Sequence, residues 1–575
     1  MPPNSSSRRC NGNEDVRPQE PQSGNNTTPS VLPSILKAVE LVVLAAVYSP
    51  ISQLSLSPVY GSIPPSIHHQ RLMMVAVTLT WATKNTAKRY VERYISLVKL
   101  LPLMAFAIPA IQFFLFPHSA TLGPVYGPLI MEFLTYFPLI YLSIYAAAES
   151  LDCVDLSGYS ERVQNALPGI ASYFLFTATE QVADYAVKGN MGSSKLFTRA
   201  GLQFIVATFY AILSPKKYLL LVILLWMNVG MFYYHFTLQT GAADAAINSV
   251  LKPHGYALIA RSESITGYLS VLDNKKDGFR VMRCDHSLLG GEWKSAPKDS
   301  KVKEPIYAVF AMLEAVRLVD TQSFATGHQR NALVIGLGIG TTPSALIAHG
   351  IKTTILEIDP VVHKFATEYF DLPKEHTSII EDALSFVKQA QRINSGQHKY
   401  DYIIHDVFTG GAEPADLFTQ EFLQGLHTLL KPNGVIAINY AGNLKLPSAA
   451  LVVRTIRSVF PSCRLFREEE YDETDPSTLP GEDFTNLVFF CIKTSTSLAT
   501  PFKFRDPVEA DFLGSPARKY HLLPKYEVET GYFEENGEIL TKRNINVLKE
   551  FQVESAVGHW YIMRRVMPAA VWEAW

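Results

Sequence analysis

Four acids in the C-terminal half stand where short apolar runs end: Glu357, Asp359, Asp382 and Asp406. The runs before them, Thr353–Leu356, Ser378–Ile380 and Tyr402–His405, read as strands of a parallel sheet. In an alternating α/β chain the carboxyl ends of the strands open on one crevice, so acids at those ends converge on a ligand. A carboxylate there can accept a proton from an amine or orient a cationic group. The plainer alternative for each acid is that it caps the helix that follows. His405 alternates to the opposite side of its strand from Asp406 and reads as packed rather than catalytic.

The partner of these acids is a glycine turn. The strand Ala332–Ile335 is followed by Gly336, Gly338 and Gly340, then by a helical segment that stops at Gly350. Strand, glycine turn, helix, strand and acid form the first unit of a nucleotide-binding domain. A dinucleotide fingerprint is G-x-G-x-x-G, and here its third glycine slot is Thr341. The G-x-G-x-G form is the habit of S-adenosylmethionine enzymes. On this reading Gly336, Gly338 and Gly340 cradle the cofactor, Glu357 binds its ribose, Asp382 faces the adenine amino group, and Asp406 sits at the reacting end.

The elements that must position these residues alternate strand and helix over 327–500, which implies a doubly wound parallel sheet. Helices are expected at Val361–Tyr369, Ala383–Ala390 and Phe418–Leu430, and further strands at Val435–Tyr440, Arg464–Phe466 and Leu487–Ile492. Ahead of it, 250–325 reads as a small β domain, with a hairpin of Tyr268–Leu272 and Phe279–Cys284 and a helix over Ile306–Val319. The segment 501–575 is poorly patterned; its Trp560, Trp572 and Trp575 suit packing on the domain or on a membrane surface.

Residues 1–32 have the composition of a disordered tail, and 33–240 that of a multispanning membrane region of about six or seven helices. The apolar runs are Ile35–Leu56, Lys99–Phe116, Leu129–Ala148, Ala166–Val182, Leu202–Leu213 and Tyr218–Phe236, with His69–Thr83 as either a further span or an interfacial helix. Glu40, Glu180 and Asp184 fall in or beside these runs and read as interfacial or as paired inside the bundle. A net charge of −2 gives no electrostatic case for nucleic acid as a partner. The five cysteines lack metal spacing and read as free or packed thiols, and no metal is implied.

VIGLGIG, ILEIDP, EDALSF and YDYIIHDVFTGGAEPADLFTQEFLQGLHTLLKPNGV follow one another in an order and spacing that resemble the spermidine synthase family, over 255–500. The resemblance implies a Rossmann-like, class I methyltransferase fold and a cofactor that is S-adenosylmethionine or its decarboxylated form. It also implies a homodimer and Asp406 as the acid that deprotonates an amine. The chain departs from the family at three places. Ile339 stands where the synthases carry an Asp in the glycine turn, Thr409 replaces a second polyamine-binding acid, and Tyr307-Ala308-Val309 replaces a Tyr-His-Glu segment. These losses remove groups that grip a diamine, so methyl transfer to a small-molecule acceptor, an amine or a membrane-associated substrate, is favoured. Aminopropyl transfer stays open, as does a transport or scaffold protein with a silent domain. The lipid bilayer is the expected partner of the helices. The cytosol, where the cofactor is made, is the expected side for the catalytic domain.

Overall fold

The structure, a computed structural model, describes residues 31–575 apart from 155–157, 159, 214–240, 296, 322–328, 394–397, 408–410, 412–413, 472–482, 495–501, 530, 532 and 534–536. It divides into two compact units. The first comprises 1–56 and 65–238, the second 57–64 and 239–575.

The first unit is helical: α1 (Val31–Tyr60), α2 (Ser66–Tyr90), α3 (Leu97–Leu115), α4 (Ser119–Leu134), α5 (Tyr136–Ser150), α6 (Glu161–Asn190) and α7 (Arg199–Leu213). Its core is built of Ala45, Tyr48, Met73, Ala105, Tyr136, Ile144, Val206 and Tyr210, with many small residues that allow helices to approach closely. Among the described residues two helical stretches are long and apolar enough to cross a membrane, Val31–Tyr60 and Leu97–Ser150. The expectation of six or seven is corrected to that extent. Lys99–Phe116 and Leu129–Ala148 lie in one continuous helical stretch, kinked at Gly123 with φ 69°. Polar side chains such as His68, His69, Gln70 and Arg71 dilute α2, and Arg162, Glu180, Asp184 and Lys188 dilute α6. Tyr218–Phe236 lies outside the described residues, as does the tail 1–30.

The second unit opens with α8 (Gly241–Leu251) and an antiparallel meander, β1 (Tyr256–Glu263), β2 (Tyr268–Asn274), β3 (Phe279–Cys284), β4 (Ser287–Trp293) and β5 (Glu304–Pro305), paired in that order. The expected helix 306–319 is split into α9 (Ala308–Leu313) and a 3-10 turn, Glu314–Leu318.

Next comes the α/β layer: β6 (Asn331–Ile335), α10 (Thr341–Ala348), β7 (Lys352–Glu357), α11 (Pro360–Tyr369), β8 (His376–Ile380), α12 (Ala383–Ile393), β9 (Tyr400–His405), α13 (Gln420–Leu429), β10 (Leu430–Asn443), α14 (Pro447–Val459), β11 (Ser462–Arg467) and β12 (Phe484–Ile492). Beyond it lie α15 (Pro516–His521), β13 (Tyr526–Val528), α16 (Ile545–Val566) and α17 (Ala569–Glu573). The sheet order is β13-β11-β12-β10-β9-β6-β7-β8. β6 through β10 run parallel, and β12, β11 and β13 return antiparallel. The order reverses between β6 and β9, the switch point at which doubly wound sheets bind ligands.

β6, β7, β9 and β10 are largely buried, as strands covered on both faces must be, whereas the edge strand β8 is exposed at Thr377, Ser378 and Ile380. Val334 and Ile404 pack into the core on one side, Leu333 and Ile403 into the core on the other. Cys463 and Cys491 face each other across β11 and β12 and form a disulfide. This corrects the reading of free thiols: the two lie 28 residues apart, a separation without motif content, and only the strand pairing opposes them.

Candidate active site

The glycine turn is built for backbone contact. Gly336 (φ 85°), Gly338 (φ 54°) and Gly340 (φ 88°) adopt conformations that disfavour any other residue. A Cβ on Gly336 would stand 2.0 Å from the Asp406 carbonyl oxygen, and one on Gly338 would stand 2.4 Å from that of Leu289. The turn therefore wedges between the end of β9 and the meander. Gly340 is the left-handed residue before α10 and borders a smaller neighbouring pocket, not the main cavity. Ile339 is buried against Leu269, Val271 and Met282, so its apolar side chain seals the turn to the meander.

Gly336, Gly338, Glu357, Asp382 and Asp406 all line one cavity of about 1150 Å³. Glu357 ends β7 with both oxygens engaged. Oε2 accepts from the Leu337 N–H and Oε1 from the Asp359 N–H, each at 2.9 Å. Burial pushes its carboxyl up to about 7, against those backbone donors. Asp382 accepts from the N–H groups of Leu384 and Ser385 and so also caps α12. Asp359 is a cap and a tie to the meander. It accepts from Val361 and Val362 at the start of α11 and from Ser264 Oγ of the meander, and it does not reach the cavity.

Asp406 follows β9 and accepts from Asn439 Nδ2 at 2.8 Å. Burial raises its carboxyl to about 6 and the Asn439 hydrogen bond opposes this, so it is ionised at neutral pH yet basic enough to take a proton. His405 is fully buried between Phe418 and Phe422, at centroid distances of 5.0 and 5.8 Å, and burial lowers it to about 4.

Sequence reasoning missed part of the cavity wall. Asn439 Oδ1 and the Tyr307 hydroxyl are buried without hydrogen-bond partners and belong to residues that line it. Glu468 also lines it, and accepts from the Val309 N–H at 2.8 Å and from Asn486 Nδ2 at 2.5 Å. His559, Ile562 and Met563 of α16 complete the wall. Asn439 had a legible signal, a polar residue closing the apolar run Val435–Ile438 one position beyond the level of His405. His559 had none, because α16 carries no motif. Thr409 lies outside the described residues.

Eight carboxylates line the cavity: Asp285, Glu357, Glu381, Asp382, Asp406, Asp416, Glu468 and Glu469. Its described lining contains no Lys or Arg. Such a wall suits cations, a sulfonium and a protonated or nascent amine among them. S-adenosylmethionine, whose sulfonium is positive, fits this donor set. Gly336, Gly338, Glu357 and Asp382 would hold it at the switch point. Among the described residues no group of His, Cys, Asp and Glu could hold a metal ion.

Residues 312–467 match the spermine/spermidine synthase domain family. The chain is 48% identical over 555 residues to the N-terminal histidine N-methyltransferase of Emericella nidulans, covering 93% of this chain and 96% of that protein. It is 33% identical over 189 residues to a polyamine aminopropyltransferase of Vibrio vulnificus, covering 32% of this chain and 56% of that one. Among solved structures it is similar to the spermidine synthase of Thermotoga maritima, at 18% identity and a TM-score of 0.30, covering 48% of this chain and 82% of that one. The human methyltransferase-like protein 13 in complex with SAH is similar at 21% identity and a TM-score of 0.27, covering 39% and 95%. The identity that runs nearly end to end decides the assignment: the chain belongs to the family of the N-terminal histidine N-methyltransferase, an S-adenosylmethionine-dependent methyltransferase carrying a spermidine-synthase-like domain.

Proposed function

We propose that the acceptor is the N-terminal histidine of a polypeptide and that methyl transfer takes place in the acid-lined cavity. The observation that carries this reading is the 48% identity over almost the whole of both chains to a protein of that activity. The cavity supports it. At about 1150 Å³ it exceeds the roughly 300–1,000 Å³ of an ordinary small-molecule site, which leaves room for an acceptor beside the cofactor. Bound S-adenosylmethionine supplies an electrophilic methyl group. Asp406 takes the proton from the acceptor nitrogen, and Asn439 holds Asp406 through Nδ2 while its buried Oδ1 offers an acceptor to a substrate N–H. Glu468 and Glu469, which line the same cavity, suit the α-ammonium of a peptide. The test is a panel of acceptors with the full-length protein: peptides beginning with His, Ala or Gly, and putrescine with decarboxylated cofactor. Methylation confined to the His peptide is expected. Transfer to putrescine, with none to the peptides, would overturn the reading in favour of aminopropyl transfer.

We also propose that the helical unit holds the enzyme in a membrane, with the catalytic unit on its oxidising face. The two apolar helical stretches support the first part. The Cys463–Cys491 disulfide favours the second over the cytosolic side expected from the cofactor's origin, because disulfides persist in oxidising compartments. The acceptor points the same way. A chain begins with His only after a peptidase has removed what preceded it. Protease protection in sealed microsomes tests the placement. Survival of the catalytic unit until detergent is added is expected, and digestion without detergent would return it to the cytosol.

A further inference from the structure

A second cluster of titratable groups lies in the helical unit, on its own residues. Ser49 of α1, His69 of α2, Glu132 of α4 and Glu180 of α6 meet in one hydrogen-bonded chain. His69 Nδ1 is 2.6 Å from Glu132 Oε1, and His69 Nε2 is 2.7 Å from Ser49 Oγ. Ser49 Oγ donates to Glu180 Oε1 at 2.5 Å, and the same carboxylate lies 3.7 Å from His69 Nε2. Ser52 Oγ donates to Glu132 at 3.1 Å, and Gln70 Nε2 donates to Glu180 at 3.3 Å. The Tyr136 ring of α5 stacks on the imidazole at 5.6 Å, and Met73 Sδ lies 3.3 Å from the Ser49 hydroxyl.

Nothing in the methyl-transfer chemistry uses these groups. Placing two carboxylates and an imidazole in an apolar core is costly unless they are mutually satisfied. The order Ser, His, Glu is also that of an acyl-transfer triad. However, Ser49 is 0% exposed and His69 1%, so nothing larger than a proton reaches them.

We propose that the helical unit carries a proton relay between Glu180 and Glu132. The resting arrangement is an imidazolium between two carboxylates. In one direction Ser49 passes its hydroxyl proton to Glu180 and takes the Nε2 proton of His69. In the other, His69 passes its Nδ1 proton to Glu132. Each transfer leaves a neutral imidazole, one neutral carboxyl and one carboxylate, so charge and protons balance. The side chain of Glu180 is 9% exposed and that of Glu132 2%, which makes Glu180 the entry and Glu132 the interior terminus.

The experiment is infrared spectroscopy of the full-length protein in lipid, at a pH low enough to protonate Glu132, following the protonated-carboxyl band that Glu132→Gln removes as the sample is transferred to D2O. Deuterium should reach Glu132 about tenfold more slowly in Ser49→Ala, a barrier increase of roughly 1.4 kcal/mol. Ser49→Thr, which keeps the hydroxyl, should restore the wild-type rate. Methyl transfer to the acceptor peptide should be unchanged in both variants, which shows that they fold. Exchange at the same rate in Ser49→Ala, or the absence at any pH of a protonated carboxyl that depends on Glu132, would overturn the relay.

Discussion

At the scale of single residues, the catalytic unit rests on carboxylates whose surroundings differ. Asp406 is raised to about 6 by burial, so the folded state takes up its proton more readily than the unfolded chain. Its contribution to stability is present at low pH and is lost as pH climbs through about 6. With Asp406 as the proposed base, catalysis has the opposite dependence, because the base must be ionised. The rate of the bound complex should therefore fall in inverse proportion to proton concentration below about pH 6, about tenfold per pH unit, measured as kcat with saturating cofactor and acceptor. A pH-independent kcat down to pH 5 would remove Asp406 from the proton transfer. Glu357 presents two acceptors to two backbone donors. In Glu357→Gln the amide nitrogen would confront an N–H, leaving one buried donor unmatched at a cost of about 1–3 kcal/mol. Weaker cofactor binding and a lower Tm are expected together, by calorimetry and thermal unfolding.

Among the elements, the strand ends and the turn between them decide the geometry. The acids at the ends of β7 and β9 were legible in the sequence because a buried strand is an apolar run and a charge terminates it. What separated ligand-facing acids from caps was not legible. Asp359 and Glu357 are two residues apart, yet one reaches the cavity and the other holds α11 and the meander. The glycines were legible as a turn, but their reason is tertiary: the carbonyl oxygens of Asp406 and Leu289 occupy the space of a side chain. Gly336→Ala adds a methyl group against that oxygen and places Ala at positive φ. It should open the switch point, with loss of cofactor binding and a fall in Tm, whereas Gly350→Ala, with nothing near its Cβ position, should retain binding at a smaller cost in Tm.

For the whole molecule, the division into a helical and a catalytic unit followed from composition, and the rest from contacts without sequence period. The C-terminal segment is the clearest case. Trp572 is fully buried, its ring 4.4 Å from that of His286 and 5.2 Å from the Arg283 guanidinium, which donates to the carbonyls of Val571 and Trp572. The C-terminus is thus docked on the meander, and α16 becomes a wall of the active cavity. Trp572→Ala should cost about 3–5 kcal/mol and unfold the catalytic unit at lower temperature, with cofactor binding lost in step. Binding that survives at full Tm would show that the segment is only appended.

The central claim is that the acid-lined cavity at the switch point transfers methyl groups with Asp406 as its base. Single-turnover methylation of a His-initiated peptide by the full-length protein, wild type against Asp406→Asn, tests it most directly when cofactor affinity and Tm are measured on the same samples. The substitution removes a buried charge, so Tm near neutral pH should hold or rise and cofactor affinity should stay near wild type. The transfer rate should fall by about 10²–10⁴. An unchanged rate in a folded, cofactor-binding Asp406→Asn protein would contradict the account.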